Sequence, residues 1–95
     1  MQFEWDKNKC KANIKKYGFD FADAKDFFIN KPIIFCDNRR DYGEKRYIAM
    51  GPLVNRIVIG VFTTRKGVIR MISMRKANDR ERRYYEKNKN RLEKN

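Results

Sequence analysis

The chain has 95 residues, enough for one domain that buries roughly 60–65% of its unfolded surface. It carries 24 Lys and Arg against 12 Asp and Glu, a formal net charge of +12, and no histidine. The charge points to a polyanion, with RNA or DNA ahead of an acidic protein or an anionic membrane; the missing histidine excludes Ser-His-Asp and Cys-His catalysis and most catalytic zinc sites.

No apolar run approaches the roughly 20 residues of a membrane span, and Met1-Gln2-Phe3-Glu4-Trp5-Asp6 reads as a cytosolic start rather than a signal peptide. Cys10 and Cys36 lack metal-ligand spacing and read as reduced, buried thiols, so neither metal nor cofactor is expected.

Phe3-Glu4-Trp5 is a short extended lead-in. Asp6 is the expected N-cap of a helix over residues 7–17, with Trp5 and Cys10 placed as a hydrophobic staple. Cys10, Ile14 and Tyr17 keep helical spacing, lysines fill the rest of the surface, and Gly18 stops the helix. Asp20 caps a second helix, whose stripe is Phe21, Ala24, Phe27 and Phe28 and whose end is Asn30-Lys31-Pro32. Ile33–Cys36 and Arg46–Met50 are predicted strands around a polar loop, and Gly51-Pro52 begins a turn.

Ile57–Phe62 is apolar at both phases and is the expected central strand. Residues 63–67 turn the chain, and the strand from Val68 returns antiparallel. Strict alternation puts Val68, Arg70, Ile72 and Met74 on one face and Ile69, Met71, Ser73 and Arg75 on the other. Arg70 then interrupts an apolar set. It is either paired with a carboxylate or standing at an opening that an anion can reach. Asn78 with Glu81 three residues on is a capping box for a final helix through Tyr84 and Tyr85, which frays in a basic tail from about residue 87. The order is helix, helix, four strands, helix. That is a single α+β domain over residues 1–95 with an antiparallel sheet, helices on one face and cations on the other.

Several short blocks then fall in one order: Phe3-Glu4-Trp5-Asp6, Asn13, Lys16-Tyr17-Gly18, Phe21, Ala24, Gly43-Glu44-Lys45-Arg46, Gly51, Thr64-Arg65, Arg70 through Ala77, Glu81 and Tyr85. The set, spread over roughly residues 3–86, resembles the BrnT family of bacterial type II toxins in the RelE-like ribonuclease group. The resemblance implies a RelE-like α+β fold, RNA cleavage that stops translation, neutralisation by a BrnA-type antitoxin, and a prokaryotic cytoplasm. Operator DNA would be met only through the antitoxin. One position departs: the family usually has histidine where this chain has Tyr17.

RNA cleaves itself when its 2′-hydroxyl attacks the adjacent phosphate, and arginine suits the charge that develops there. Arg65, Arg70 and Arg75 are the candidate catalytic cations, with Glu44 and Tyr17 as proton-transfer groups. Arg46, Lys76, Arg80, Arg83 and Tyr85 are the RNA-contact candidates. Strict alternation sets Arg75 on the wrong face unless the strand ends or bulges near Ser73-Met74. A carboxylate among arginines stays ionised, so Glu44 equally fits as the partner that orients Arg46. Tyr84 and Tyr85 fit either base stacking or the core. The competing reading is a nucleic-acid-binding module without catalysis, or a degenerate toxin that only binds its antitoxin.

Overall fold

The structure of the protein, a computed structural model, describes residues 1–93. The α+β class holds, with two N-terminal helices and one C-terminal helix. The sheet has five strands rather than four and is mixed rather than purely antiparallel, because the lead-in Gln2–Glu4 is itself a strand, β1. Helix α1 (Lys7–Tyr17) follows. A 3-10 turn at Phe21–Asp23 then leads into α2 (Ala24–Ile29). Strands β2 (Ile33–Cys36), β3 (Tyr47–Leu53), β4 (Arg56–Arg65) and β5 (Val68–Lys76) precede α3 (Asp79–Glu93), and the sheet order is β1-β5-β4-β3-β2.

The local signals work as expected. The Asp6 side chain accepts from the amides of Asn8 and Lys9, and Gly18 closes α1 with a left-handed φ of 79°. Asp20 accepts from the amide of Ala22 but caps the 3-10 turn, and α2 itself begins three residues later than expected, after Asp23, which makes no side-chain cap bond. Asn78 Oδ1 accepts from the amide of Glu81 at 2.8 Å while Glu81 Oε1 accepts from that of Asn78 at 2.9 Å, a complete capping box. With that start, α3 continues helical through most of the tail expected to fray.

The turns are tighter than expected. Gly51-Pro52 lies inside β3, and the chain reverses at Val54-Asn55; the next reversal takes only Lys66-Gly67. Both pairs have positive φ throughout, the two-residue geometry that matches strand twist and lets the strands run up to the turn. Gly51 serves a close approach instead of a turn: a Cβ there would stand 2.9 Å from Pro32 Cα at the entry to β2.

The main core lies between one sheet face and α1 and α2, with Phe21, Phe27, Val58, Met71 and Met74 almost wholly buried. Each such side chain contributes about 1.5–3 kcal/mol through removal from water. The other face is not left open to the cations along its whole length. Helix α3 crosses part of it, seating Tyr85 near Met50, Ile59 and Ala77 and bringing Tyr84 onto Phe35 of β2, ring centroids 6.3 Å apart. Cys10 is buried, but Cys36 is exposed because β2 is an edge strand.

The opposite edge is closed by a side chain. Strand β1 pairs with β5 only at Val68–Arg70, so the backbone of β5 beyond it lacks a neighbouring strand. Asn13 of α1 fills the gap. Its Nδ2 donates to Met74 O at 3.0 Å and Phe19 O at 2.9 Å, and its Oδ1 accepts from Met74 N at 3.1 Å. The amide thus stands in for a peptide group of a missing strand. Asn13→Ala leaves these buried groups unsatisfied and should destabilise the fold by roughly 2–4 kcal/mol, read as a lower urea midpoint at unchanged slope. Asn13→Asp keeps an acceptor but buries a charge, and should do no better.

Candidate active site

Strand β5 carries one extra residue. Val61 pairs with Ser73 and Phe62 with Met71, leaving Ile72 unmatched in a bulge. Ile69 and Met71 point to the main core before the bulge, and Met74 does so after it. The phase therefore shifts by one, and Arg75 joins the face of Arg70. Strict alternation had placed it opposite; Ile72 absorbs the difference.

Cross-strand register fixes what else is there. Arg65 lies opposite Val68 and Thr63 opposite Arg70. Arg65 and Arg70 are thus diagonal neighbours, roughly 7–8 Å apart at the backbone. Arg75 lies opposite Ile59, four residues along β4 from Thr63, so it stands roughly 13 Å from Arg70. Arg46 belongs to the same face. Tyr47 beside it turns to the core and stacks on Phe62 with centroids 5.4 Å apart.

Each of these arginines meets a carboxylate. Glu44 takes Arg65 Nη2 at 3.1 Å and lies 3.7 Å from Arg46 Nε. Arg70 Nη1 is 3.8 Å from Glu4 of β1, a loose pair with both groups partly exposed. Arg70 therefore satisfies both halves of its alternative, having a partner and standing at an opening. Arg75 donates two bonds of 2.7 Å to Glu81. Those bonds hold the Glu81 carboxyl below its ordinary range and raise the Arg75 guanidinium further. Arg46 Nε is a buried donor without a hydrogen-bond partner among the described residues, although Tyr42 covers its guanidinium at 4.1 Å.

The sequence reading missed a second set beside these. The Asp37 side chain is fully buried and accepts from Arg39 Nε and Nη2 at 2.8 Å each, from the Arg39 amide at 3.2 Å and from Tyr42 Oη at 3.0 Å. Hydrogen bonds from Arg39 hold Asp37 well below the usual carboxylate range despite its burial, and Asp37 raises Arg39 in return. Arg39 in turn acts electrostatically on Arg75 and Glu81. The one hint in the sequence was Asp37 two residues before Arg39, a spacing that suits a side chain bonding back to a local amide. Nothing local marked Glu4.

The remaining candidates lie elsewhere. Tyr17, at the end of α1, borders Ile72 and Ser73 at the β5 edge and acts electrostatically on Arg75. Lys76 is exposed at the far end of β5 beside Arg56 and Arg82. Arg80 and Arg83 are exposed on α3, and Tyr85 is half-buried beneath it. Among the described residues no three His, Cys, Asp or Glu side chains gather as metal ligands, and no helix is long and apolar enough to cross a membrane.

A mixed five-stranded sheet, helices on both faces and an open patch of paired arginines make a small α+β domain of RelE-like architecture. Residues 5–81 match the family described as "Ribonuclease toxin, BrnT, of type II toxin-antitoxin system", and the chain belongs to that family. No individual curated protein matches it. The family makes it a nuclease-type toxin that has an antitoxin partner and interacts with nucleic acid.

Two acids of this site, buried Asp37 and partly exposed Glu81, make stability depend on pH. Asp37 and Glu81 have folded-state pKa values below their unfolded ones, so their contribution is complete above about pH 5 and is lost as pH falls through the folded values. Asp37→Asn should lower stability at neutral pH by about 1–3 kcal/mol and flatten the loss below about pH 4. Urea melts at pH 7 and pH 3 measure both effects.

Proposed function

We propose that the protein is a metal-independent endoribonuclease that holds the scissile phosphate at Arg65 and Arg70. The observation that carries this reading is their position as diagonal neighbours on the open half of the sheet, with Glu44 bound to Arg65. The 2′-hydroxyl attacks the adjacent phosphorus, the 5′-oxygen leaves, and the two guanidiniums stabilise the charge that builds on the phosphate oxygens. Their carboxylate partners are partly exposed, so an incoming phosphate exchanges one anion for another and leaves no cation buried alone. Arg46, with its orphaned Nε, and Arg75 at the far end extend the cationic surface. Glu44, bound to Arg65, orients that guanidinium and takes the proton of the attacking 2′-hydroxyl, and solvent protonates the leaving 5′-oxygen.

A BrnA-type antitoxin neutralises the toxin in the bacterial cytoplasm by laying an acidic segment over this face, and operator DNA is met through the antitoxin. The substitution of Tyr17 for the family's usual histidine favours a second reading, a degenerate toxin that binds its antitoxin without cutting RNA.

Cleavage assays separate the two. Arg65→Ala and Arg70→Ala should each remove roughly 2–4 kcal/mol of transition-state stabilisation, and Lys at either position should not restore full activity, because it lacks the bidentate fork. Thermal melts should move little, since exposed ion pairs contribute about 0–1 kcal/mol. Arg75→Ala differs, because it also breaks a link between β5 and α3 and should lower the melting temperature. The degenerate reading predicts no cleavage by any form of the protein.

Cleavage should also proceed in EDTA and leave 2′,3′-cyclic phosphate and 5′-hydroxyl ends. Activity that requires added magnesium, or that leaves 5′-phosphates, overturns the mechanism.

A further inference from the structure

Helix α1 carries five lysines and no acidic residue, and among the described residues none of those lysines pairs with a carboxylate. Arg65, Arg70 and Arg75 of the sheet, by contrast, each meet one. The lysines fall into two sets. Lys7, Lys11 and Lys15 recur every four residues along one side of the helix. Lys9 and Lys16 are seven residues, about 10 Å, apart on another side. The second set borders a hollow formed with Ala12, Asn13 and Tyr17 of α1 and with Ile72 and Ser73 of β5. Ile72 is the bulged residue, and Ser73 lies opposite Val61 on the face that holds Arg70 and Arg75. The hollow is therefore continuous with the arginine face across the β5 edge.

We infer that this hollow binds one nucleotide of single-stranded RNA next to the scissile phosphate, with the base against Tyr17, Ala12 and Ile72 and the flanking phosphates on Lys9 and Lys16. The inference rests on the nuclease reading above and adds a binding subsite to it. The hollow has an apolar floor, a rim of lysines without carboxylate partners, an exposed aromatic ring and one hydroxyl at Ser73, a combination that suits a base with its backbone. Lys16 Nζ already sits 5.1 Å from the Tyr17 ring centroid, so a base on the ring meets a phosphate partner beside it. Tyr17 is then a binding residue that acts through its ring. That account also explains how a phenol can stand at this position without proton transfer.

The test uses the full chain and a short single-stranded oligoribonucleotide made uncleavable by 2′-O-methyl groups, with binding read by fluorescence anisotropy over a salt series. Lys9→Glu with Lys16→Glu should weaken binding roughly tenfold or more and lower the salt slope by about two phosphate contacts. Lys7→Glu with Lys11→Glu makes the same charge change on the other side and should weaken binding only about threefold or less, because exposed charges off the path are screened. Tyr17→Ala should weaken binding roughly tenfold, and Tyr17→Phe should rescue it. With cleavable RNA the Lys9/Lys16 loss should fall on KM more than on kcat. Equal losses from both lysine pairs overturn the subsite, as does a Phe variant no better than Ala. So does a Lys9/Lys16 variant that keeps its oligonucleotide affinity and instead fails to form the antitoxin complex. The catalytic reading fails separately, through unimpaired cleavage by Arg65→Ala and Arg70→Ala.

Discussion

The extra residue Ile72 in β5 sets where the arginines point. Without it Arg75 would be directed at the main core, where a guanidinium has no partner. With it, Met74 takes the core position and Arg75 turns out to Glu81. The bulge is held from both sides. Across the sheet, β4 fixes the pairing of Met71 and Ser73, and at the edge the Asn13 amide binds both backbone groups of Met74. A helix side chain two residues beyond the irregularity thus keeps the register from sliding back.

The second constraint is charge. Five arginines, Arg39, Arg46, Arg65, Arg70 and Arg75, share one surface with four carboxylates, Glu4, Asp37, Glu44 and Glu81. The carboxylates hold the guanidiniums in place and reduce their mutual repulsion, so the patch can exist before any ligand arrives. The pairs are not equal. Asp37–Arg39 and Arg75–Glu81 are short and bidentate, while Arg70–Glu4 is loose and Arg65–Glu44 has a single close contact. The firm pairs read as framework and the loose ones as exchangeable.

Much of this was legible in the sequence wherever the signal was local. Asp6, Asp20 and the Asn78–Glu81 box act within one helical turn, and each sits where the sequence put it. The failures come from distance or ambiguity. Glu4 was hidden because β1 is three residues long and pairs with a strand more than sixty positions away. The bulge was legible only as a condition on Arg75 near Ser73-Met74; because Met71, Ile72 and Met74 are all apolar, the pattern does not say which residue is the extra one. Gly51-Pro52 reads as a turn in any local scheme, and only the approach of Pro32 shows why a glycine stands in a strand. Asp37, Arg39 and Tyr42 lie in a polar loop, where composition does not reveal which side chain will be buried.

The shared carboxylate of Glu81 has a kinetic consequence. Its Oε1 accepts both from the Asn78 amide that begins α3 and from Arg75 Nη1. An exposed arginine ordinarily changes rotamer within picoseconds to nanoseconds. Glu81 is fixed by the capping box before Arg75 binds it, and the first turn of α3 cannot fray without loosening Arg75. Release of Arg75 has to break two charge-assisted bonds to a carboxylate that the helix start already holds in place, which slows its reorientation relative to a free arginine. At this corner of the patch the helix start supplies the fixed point against which a long, flexible side chain is oriented.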